Sequence, residues 1–196
     1  MRPLYLAGWG YVAIAALLLY RSAPPIDIAP MYNGPPVVEQ LPAGTLAQQW
    51  FATVKPQCNA LEAELTMTRS PAPAGEEGAG FGAACYALAG KTTRAQQLID
   101  ALPASERSRA AGIVFDVVHP VADAGDDESA GPMMELVLRY LPDHYMALYH
   151  AGIAEYRTGQ RDLAIKNLEA FLRHYHADDG WTGSAEAVLK ELRGTQ

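Results

Sequence analysis

The sequence predicts an all-α protein in which an apolar N-terminal helix and a proline-rich linker precede a stack of antiparallel helical hairpins. Residues 4–20 contain no charged side chain, and residues 22–44 contain six prolines. In the rest of the chain apolar residues recur at helical spacing, and Gly90, Gly125 and Gly159 follow one another at intervals of 35 and 34 residues. These observations predict, in order, a membrane-spanning helix, an extended tether and a repeated helix–turn–helix unit.

The apolar run predicts a single transmembrane anchor over residues 1–21, with residues 4–20 in contact with the lipid bilayer. As a helix that rises about 1.5 Å per residue the run is roughly 25 Å long, slightly short of the hydrocarbon core of about 30 Å. A cleaved signal peptide is the alternative. The run ends in YRSAPP, which is a poor cleavage site, so a retained anchor is favoured.

Charges on either side of the apolar run indicate its orientation. Arg2 and the α-amino group precede the run, and Arg21 follows it; between Arg21 and Lys55 the only charged residues are Asp27 and Glu39. Positive charge favours the cytoplasmic side. We therefore expect a single-pass protein of the inner membrane, with the N-terminus inside and the C-terminal domain in the periplasm.

Residues 22–44 are predicted to be an extended, semi-rigid linker, because proline-rich segments resist regular structure. The helical domain is predicted over residues 45–196. Apolar residues four apart precede and follow Pro56, which indicates one kinked helix or two helices between residues 45 and 68. Residues 70–80, SPAPAGEEGAG, are predicted to be a loop.

The two cysteines, Cys58 and Cys85, are a candidate disulfide. An exported domain lies in a compartment where disulfides form, and an even pair fits that placement. Two buried free thiols are the alternative. In the chain-entropy model, a disulfide closing a loop of this size stabilises the fold by about 3 kcal/mol.

The three spaced glycines begin a longer repeated pattern. A glycine can end the first helix of a hairpin in the left-handed conformation, and a small residue lets the second helix approach the first closely. One hairpin cannot bury its own apolar face, so neighbouring hairpins must stack. Five residues after each glycine stands an alanine, and four residues later a large apolar residue: Ala95 and Ile99, Ala130 and Met134, Ala164 and Leu168.

This pattern resembles the tetratricopeptide repeat (TPR) family, whose period is 34 residues. The best copy is residues 145–178; further copies lie near 76–109 and 111–144, and residues 181–193 are predicted to form a capping helix. In the copy at 111–144 we expect Pro120 to shorten the first helix. The best copy carries the small residue, the aromatic residue (one place late), the turn glycine, the alanine and the apolar pair of the family: Gly152, Tyr156, Gly159, Ala164, Leu168 and Phe171.

The resemblance implies a concave groove lined by the first helices of successive hairpins. An aromatic, methionine-bearing groove suits a peptide or a helix as ligand. The alternative is that the capping helix or the N-terminal segment covers this face. Mapped residue by residue, the groove residues would be Phe115, His119, Met146, Tyr149, Ile153 and Tyr156.

Two glycine-rich stretches invite a phosphate-binding interpretation, which the spacing contradicts. GKTT at residues 90–93 resembles the end of a P-loop, but Cys85 stands where that motif needs glycine. GEEGAGFG at residues 75–82 is not preceded by a strand, and a flexible loop that leads into a helix is expected instead. The sequence therefore predicts no nucleotide. Its formal net charge of −7 also excludes nucleic acid as a favoured partner.

Metal ligation receives no support from the sequence. The acidic run between Asp123 and Glu128 fails the calcium-loop spacing and is expected to be a solvated turn. His174 and His176 point to different sides of a helix, and His150 could approach His174 across a hairpin, but no cysteine or glutamate cluster accompanies them. We expect no metal, no cofactor and no catalytic residues, and hence a protein that is not an enzyme.

These expectations favour a non-catalytic, membrane-anchored subunit that docks a TPR-like domain on the periplasmic face of a larger membrane protein complex. The anchor, the proline-rich tether and the repeat domain together motivate this hypothesis. From context alone, the complex is expected to be an energy-converting one, photosynthetic or respiratory. A secretion or envelope-assembly machine is equally compatible with the sequence. The alternative hypothesis is a periplasmic chaperone or assembly factor that binds client peptides in the groove.

Overall fold

The computed structural model describes residues 44–194, and within this range the chain is all helical. The predicted anchor at 1–21 lies outside the described residues, as does the predicted linker at 22–44 except for Gly44. Among the described helices, none combines the length and the apolar character that crossing a bilayer requires. The helices are α1 (Leu46–Val54), α2 (Ala63–Arg69), α3 (Glu76–Leu88), α4 (Thr92–Asp100), α5 (Ala104–Asp123), α6 (Asp127–Leu138), α7 (Tyr145–Arg157), α8 (Arg161–His174) and α9 (Gly180–Gly194).

Three hairpins form the centre of the described region: α3 with α4, α5 with α6, and α7 with α8. The first two stack through α3 against α5, and the third packs on the second through α6 and α7. Helix α1 packs on α3, and α9 packs on α8 and α7. One buried apolar cluster extends from α1 to α7, and a second lies between α7, α8 and α9.

Glycines close the three hairpin turns, as predicted. Gly90, Gly125 and Gly159 have φ of 72°, 88° and 75°. In each turn the N–H of the next residue bonds to a carbonyl five residues earlier, as Lys91 N does to Tyr86 O at 2.8 Å. This is the Schellman arrangement, which needs a residue without Cβ penalty at the left-handed position. The predicted packing positions of the repeat are fully buried: Ala95, Ala130, Ala164, Ile99, Met134 and Leu168.

The predicted loop at residues 70–80 is wrong in its second half, because α3 begins at Glu76. The glycines of this stretch serve close packing rather than flexibility. A Cβ on Gly78 would lie 1.8 Å from the Pro73 carbonyl oxygen, and one on Gly80 would lie 2.8 Å from Ile113 Cδ1 on α5. Contact with α5 therefore stabilises a helix that the glycine content alone disfavours.

Pro120 does not shorten α5, which begins at Ala104 and continues through the proline to Asp123. A proline removes the hydrogen bond to the carbonyl four residues earlier, here that of Asp116. Pro120 and Asp116 are both exposed, so water can hydrate the freed carbonyl. Burial of Val118 and Ala122 on the opposite face stabilises the helical turn around the proline.

The N-terminal pair consists of two separate helices, one of the two arrangements expected from the sequence. Thr45 and Gln48 cap α1 reciprocally: the Thr45 hydroxyl accepts from Gln48 N at 3.2 Å, and the Gln48 side chain accepts from Thr45 N at 3.1 Å. A disulfide with an S–S distance of 2.04 Å joins Cys58, after α1, to Cys85 on α3. It ties the N-terminal pair to the first hairpin.

Candidate functional site

The predicted groove is covered in the half that belongs to the third hairpin. Tyr149 is only 8% exposed and Ile153 is also buried. The Tyr149 ring packs edge-on against Trp181 at a centroid distance of 4.9 Å, and its hydroxyl donates to Ser184 Oγ at 3.0 Å. Trp181 and Ser184 belong to α9, so the capping helix occupies this face. Tyr156, which lies one turn after Ile153 on α7, is half-buried.

The other predicted groove residues lie between the second and third hairpins. Phe115 stacks on His119 at 4.7 Å and contacts the His144 ring at 4.0 Å. Met146 is half-buried and packs against the larger apolar cluster. His144 is absent from the predicted groove because it precedes α7, where its Nδ1 accepts from Ala147 N at 3.3 Å and caps the helix.

From His144 a line of aromatic rings continues to the edge of the third hairpin. Tyr145 lies 6.0 Å from the His144 ring and 5.2 Å from the Tyr175 ring. Tyr145 is exposed and Tyr175 is half-buried. We call Phe115, His144, Tyr145 and Tyr175 the aromatic strip. An antiparallel hairpin brings the start of α7 beside the end of α8, so the predicted hairpin already implies that Tyr145 and Tyr175 are neighbours.

A buried polar group lies beside His119, at the junction of α5, α6 and α7. His150 is 1% exposed, and its Nδ1 lies 3.3 Å from Asp127 Oδ1. Asp127 is itself buried, and its Oδ2 lies 2.8 Å from Arg157 Nη1. The expectation of a wholly solvated acidic turn is therefore wrong at Asp127, because α7 packs over the start of α6 and supplies two partners for the carboxylate.

The second nitrogen of His150 points away from Asp127 toward α5. His150 Nε2 lies 3.7 Å from Asp123 Oδ1, and His119 Nε2 lies 3.4 Å from the same oxygen. One ligand atom from each of these three side chains lies within 4.8 Å of the other two. We call His119, Asp123 and His150 the His–Asp cluster. Its donors, two imidazole nitrogens and a carboxylate oxygen, are of the kind that could hold a transition-metal ion.

The approach of His150 to His174, which the sequence allows, does not occur. His174 Nε2 instead lies 3.4 Å from Asp143 Oδ1 at the surface. The His150 ring instead packs against His119 and Trp181, at centroid distances of 5.1 and 5.6 Å. Burial lowers the pKa of His150 below its ordinary value, while the hydrogen bond to Asp127 acts in the opposite direction.

A further buried acid lies inside the third hairpin. Glu155 is 2% exposed, and its two oxygens accept hydrogen bonds from Asn167 Nδ2 at 2.8 and 2.9 Å. Burial raises the pKa of Glu155 to about 7, and the bond from Asn167 only partly offsets this. No local sequence pattern indicates this pair, since the two residues meet only when α7 and α8 pack.

The stretch that resembles a P-loop is one of the hairpin turns. Gly90 ends α3 and α4 begins at Thr92, so the backbone N–H groups serve helix capping rather than a phosphate cradle. Lys91 Nζ lies 3.9 Å from Glu64 Oε1 at the surface. This geometry agrees with a structural role for GKTT.

Comparison of the chain with protein-family models, with curated proteins and with solved structures finds no match. Function is therefore inferred from the fold and from its exposed and buried side chains.

Proposed function

We propose that this chain is a non-catalytic interaction protein of the helical-repeat class, anchored in the inner membrane and docked on a larger membrane protein complex. The observation that carries the proposal is the stack of three hairpins with the same glycine turn and the same buried positions. Such stacks present an extended surface to partners, and their stability comes from contacts between neighbouring units.

The packing inside the third hairpin supports a TPR-like assignment. A Cβ on Gly152 would lie 2.7 Å from Leu168 Cγ, so this position needs the small residue that the family pattern has there. Ala164 and Phe171 are fully buried beside it. We infer that the three hairpins are tetratricopeptide-like units and that α9 is their C-terminal cap.

The disulfide supports a periplasmic location for the domain. Disulfides persist in the periplasm and are rare in the cytosol, and Cys58 and Cys85 are bonded. The uncharged run at residues 4–20 and the six prolines of residues 22–44 would then be the anchor and the tether.

The N-terminal end of the domain is the proposed docking region. Among the described residues, Leu46, Leu61 and Leu65 are large apolar side chains with 72%, 92% and 50% exposure. They belong to α1, α2 and the connection between them, which follow the proline-rich residues 22–44 along the chain. Single exposed apolar side chains are common on any surface and are not informative, whereas several of them in one short helix pair are typical of an interaction site. A membrane complex held close by the anchor is the partner that this placement suits.

Isolation of the full-length chain from its native membranes in mild detergent tests the proposal. We expect defined subunits to co-purify and to be identified by mass spectrometry. Replacing Leu61 and Leu65 by Glu should release them, while Leu163→Glu on α8, where Leu163 is 43% exposed, should not. A chain that migrates as a lone monomer contradicts the proposal.

The aromatic strip favours one alternative, a periplasmic chaperone or assembly factor. Its exposed tyrosine and half-buried rings offer the stacking surface that an extended peptide or a helix needs. In that case the co-purifying material would be a substoichiometric mixture of clients, and Tyr145→Ala rather than the leucine substitutions would release it.

A further inference from the structure

We propose that the His–Asp cluster is a metal site, in which His119, Asp123 and His150 bind one divalent transition-metal ion, with Zn²⁺ as the best fit. The site would join the second and third hairpins, because His119 and Asp123 lie on α5 and His150 lies on α7. This inference does not depend on the anchoring or on the docking partner.

The positions of the donor atoms fit a tetrahedral ion. With metal–nitrogen and metal–oxygen bonds of about 2.0–2.2 Å, two ligand atoms of a tetrahedral site lie roughly 3.3–3.6 Å apart. Asp123 Oδ1 lies 3.4 Å from His119 Nε2 and 3.7 Å from His150 Nε2. One ligand atom from each of the three side chains lies within 4.8 Å of the other two, so the group spans little more than the edge of a tetrahedral site.

Both nitrogens lack a hydrogen-bond partner within the described residues, although they are buried. A buried polar atom without a partner is costly, by about 1–3 kcal/mol, and such atoms are rare in folded proteins. His150 is 1% exposed, so water reaches this nitrogen poorly. A bound cation would satisfy both nitrogens at once.

Asp127 prepares His150 as a ligand. Since a carboxylate only accepts hydrogen bonds, the contact at 3.3 Å places the hydrogen of the imidazole on Nδ1. The lone pair of Nε2 then faces His119 and Asp123. Asp127 is in turn held by Arg157 at 2.8 Å. A carboxylate behind a ligating histidine is the usual support in zinc sites, where it fixes the tautomer and the ring orientation.

The remaining ligands are also held in place by the fold. His119 and Asp123 are one helical turn apart on α5, which puts both side chains on the same face. The His119 ring is stacked on Phe115, and the His150 ring is packed edge-on against Tyr149 and Trp181. Ligands restrained in this way lose little freedom when an ion binds.

The charges around the cluster suit a cation. With both imidazoles neutral, Asp123 and Asp127 carry two negative charges and Arg157 carries one positive charge, so the group is net negative. Asp123 is 46% exposed by its side chain and provides a path to solvent, where water would complete the coordination. The competing explanation is a histidine–aspartate ion pair that shares a proton.

Metal titration of the full-length chain in detergent, after removal of metals by a chelator, distinguishes the two explanations. We expect one equivalent of Co²⁺ to bind with the visible spectrum of a tetrahedral site and to be displaced by Zn²⁺. Zn²⁺ should also raise the thermal midpoint, because it binds only the folded state. Asp123→Asn should weaken binding at least tenfold, and His119→Gln should abolish tight binding.

Control measurements distinguish loss of metal binding from loss of folding. His119→Gln and Asp123→Asn change half-buried or exposed side chains, and circular dichroism and the metal-free midpoint show whether each variant folds. His174→Gln alters a surface histidine that pairs with Asp143 outside the cluster, and it should bind Zn²⁺ as the unmodified chain does. Absence of saturable binding, or binding that is unchanged in both cluster variants, overturns the proposal.

Discussion

At the scale of single residues, three polar side chains are buried among the described residues: Asp127, His150 and Glu155. Each finds a partner on another helix or at a helix end, in line with the cost of burying an unpaired polar group. The hairpin packing thus raises the pKa of Glu155 and pairs Nδ1 of His150 with Asp127, which no local sequence pattern indicates.

Glu155 should make the stability of the protein depend on pH. Its pKa rises from an ordinary value of 4.5 to about 7 in the fold, so the folded state holds the proton more tightly than the unfolded chain. Its contribution is therefore full below pH 4.5 and is lost as the pH rises toward 7. We expect Glu155→Gln to be more stable than the unmodified chain above pH 7, by about 1–3 kcal/mol.

Urea unfolding at pH 4 and at pH 8 measures this effect. The two chains should differ at pH 8 and agree at pH 4, while Glu186→Gln, at an exposed position of α9, should follow the unmodified chain at both. The pKa values of His150 and His144 are lowered in the fold. Their effect on the pH dependence of stability is the same in the unmodified protein and in the Glu155→Gln variant. An equal difference at the two pH values would contradict the assignment to ionisation.

At the scale of helices, small residues decide how closely the hairpins pack. Gly152 on α7 faces Leu168 on α8, and a Cβ there would also come within 3.3 Å of the Leu168 nitrogen. Helical glycines that face open space are different. Gly112 on α5 has no atom within 4 Å of its would-be Cβ.

The two glycines should therefore respond to alanine in opposite directions. Gly152→Ala is expected to destabilise the protein by about 1–3 kcal/mol, because the added methyl group forces α8 away. Gly112→Ala should stabilise it by up to about 1 kcal/mol through helix propensity. Denaturant midpoints of the two variants measure the difference. If Gly152→Ala also stabilised the protein, α8 would be able to move away from α7 at no energetic cost, which would contradict the prediction.

At the scale of the whole described region, α7 connects the two apolar clusters. Its Ala147 and Ala151 belong to the larger cluster, and its Tyr149 and Ile153 belong to the smaller one under α9. The other end of the region is tied by the disulfide, which spans 27 residues between the turn after α1 and α3. Packing at one end and covalent linkage at the other resist the fraying to which short repeat stacks are prone.

Loss of the disulfide should weaken the domain at its N-terminal end. In the chain-entropy model, opening a loop of 27 residues lowers the free energy of unfolding by about 3 kcal/mol. Chemical denaturation with and without a thiol reductant measures this for the unmodified chain. The variant with Cys58→Ser and Cys85→Ser should match the reduced chain and ignore the reductant; a response to reductant in that variant would assign the effect elsewhere.

The sequence by itself determined the features that depend on neighbours along the chain. The spacing of Gly90, Gly125 and Gly159 indicated the hairpin turns, because a left-handed helix end needs glycine whatever packs around it. Helical spacing of apolar residues indicated the all-α class, and the even pair of cysteines identified the candidate disulfide.

The tertiary structure decided what depends on contacts between distant residues. The helical state of the glycine-rich start of α3 requires α5, and the covering of Tyr149 requires α9. The His–Asp cluster brings together residues from two hairpins. The repeat pattern predicts which face of a helix each residue lies on, but not the distances between the side chains. Side-chain distances of a few ångströms are set by how helices cross, and crossing is fixed by packing rather than by local sequence.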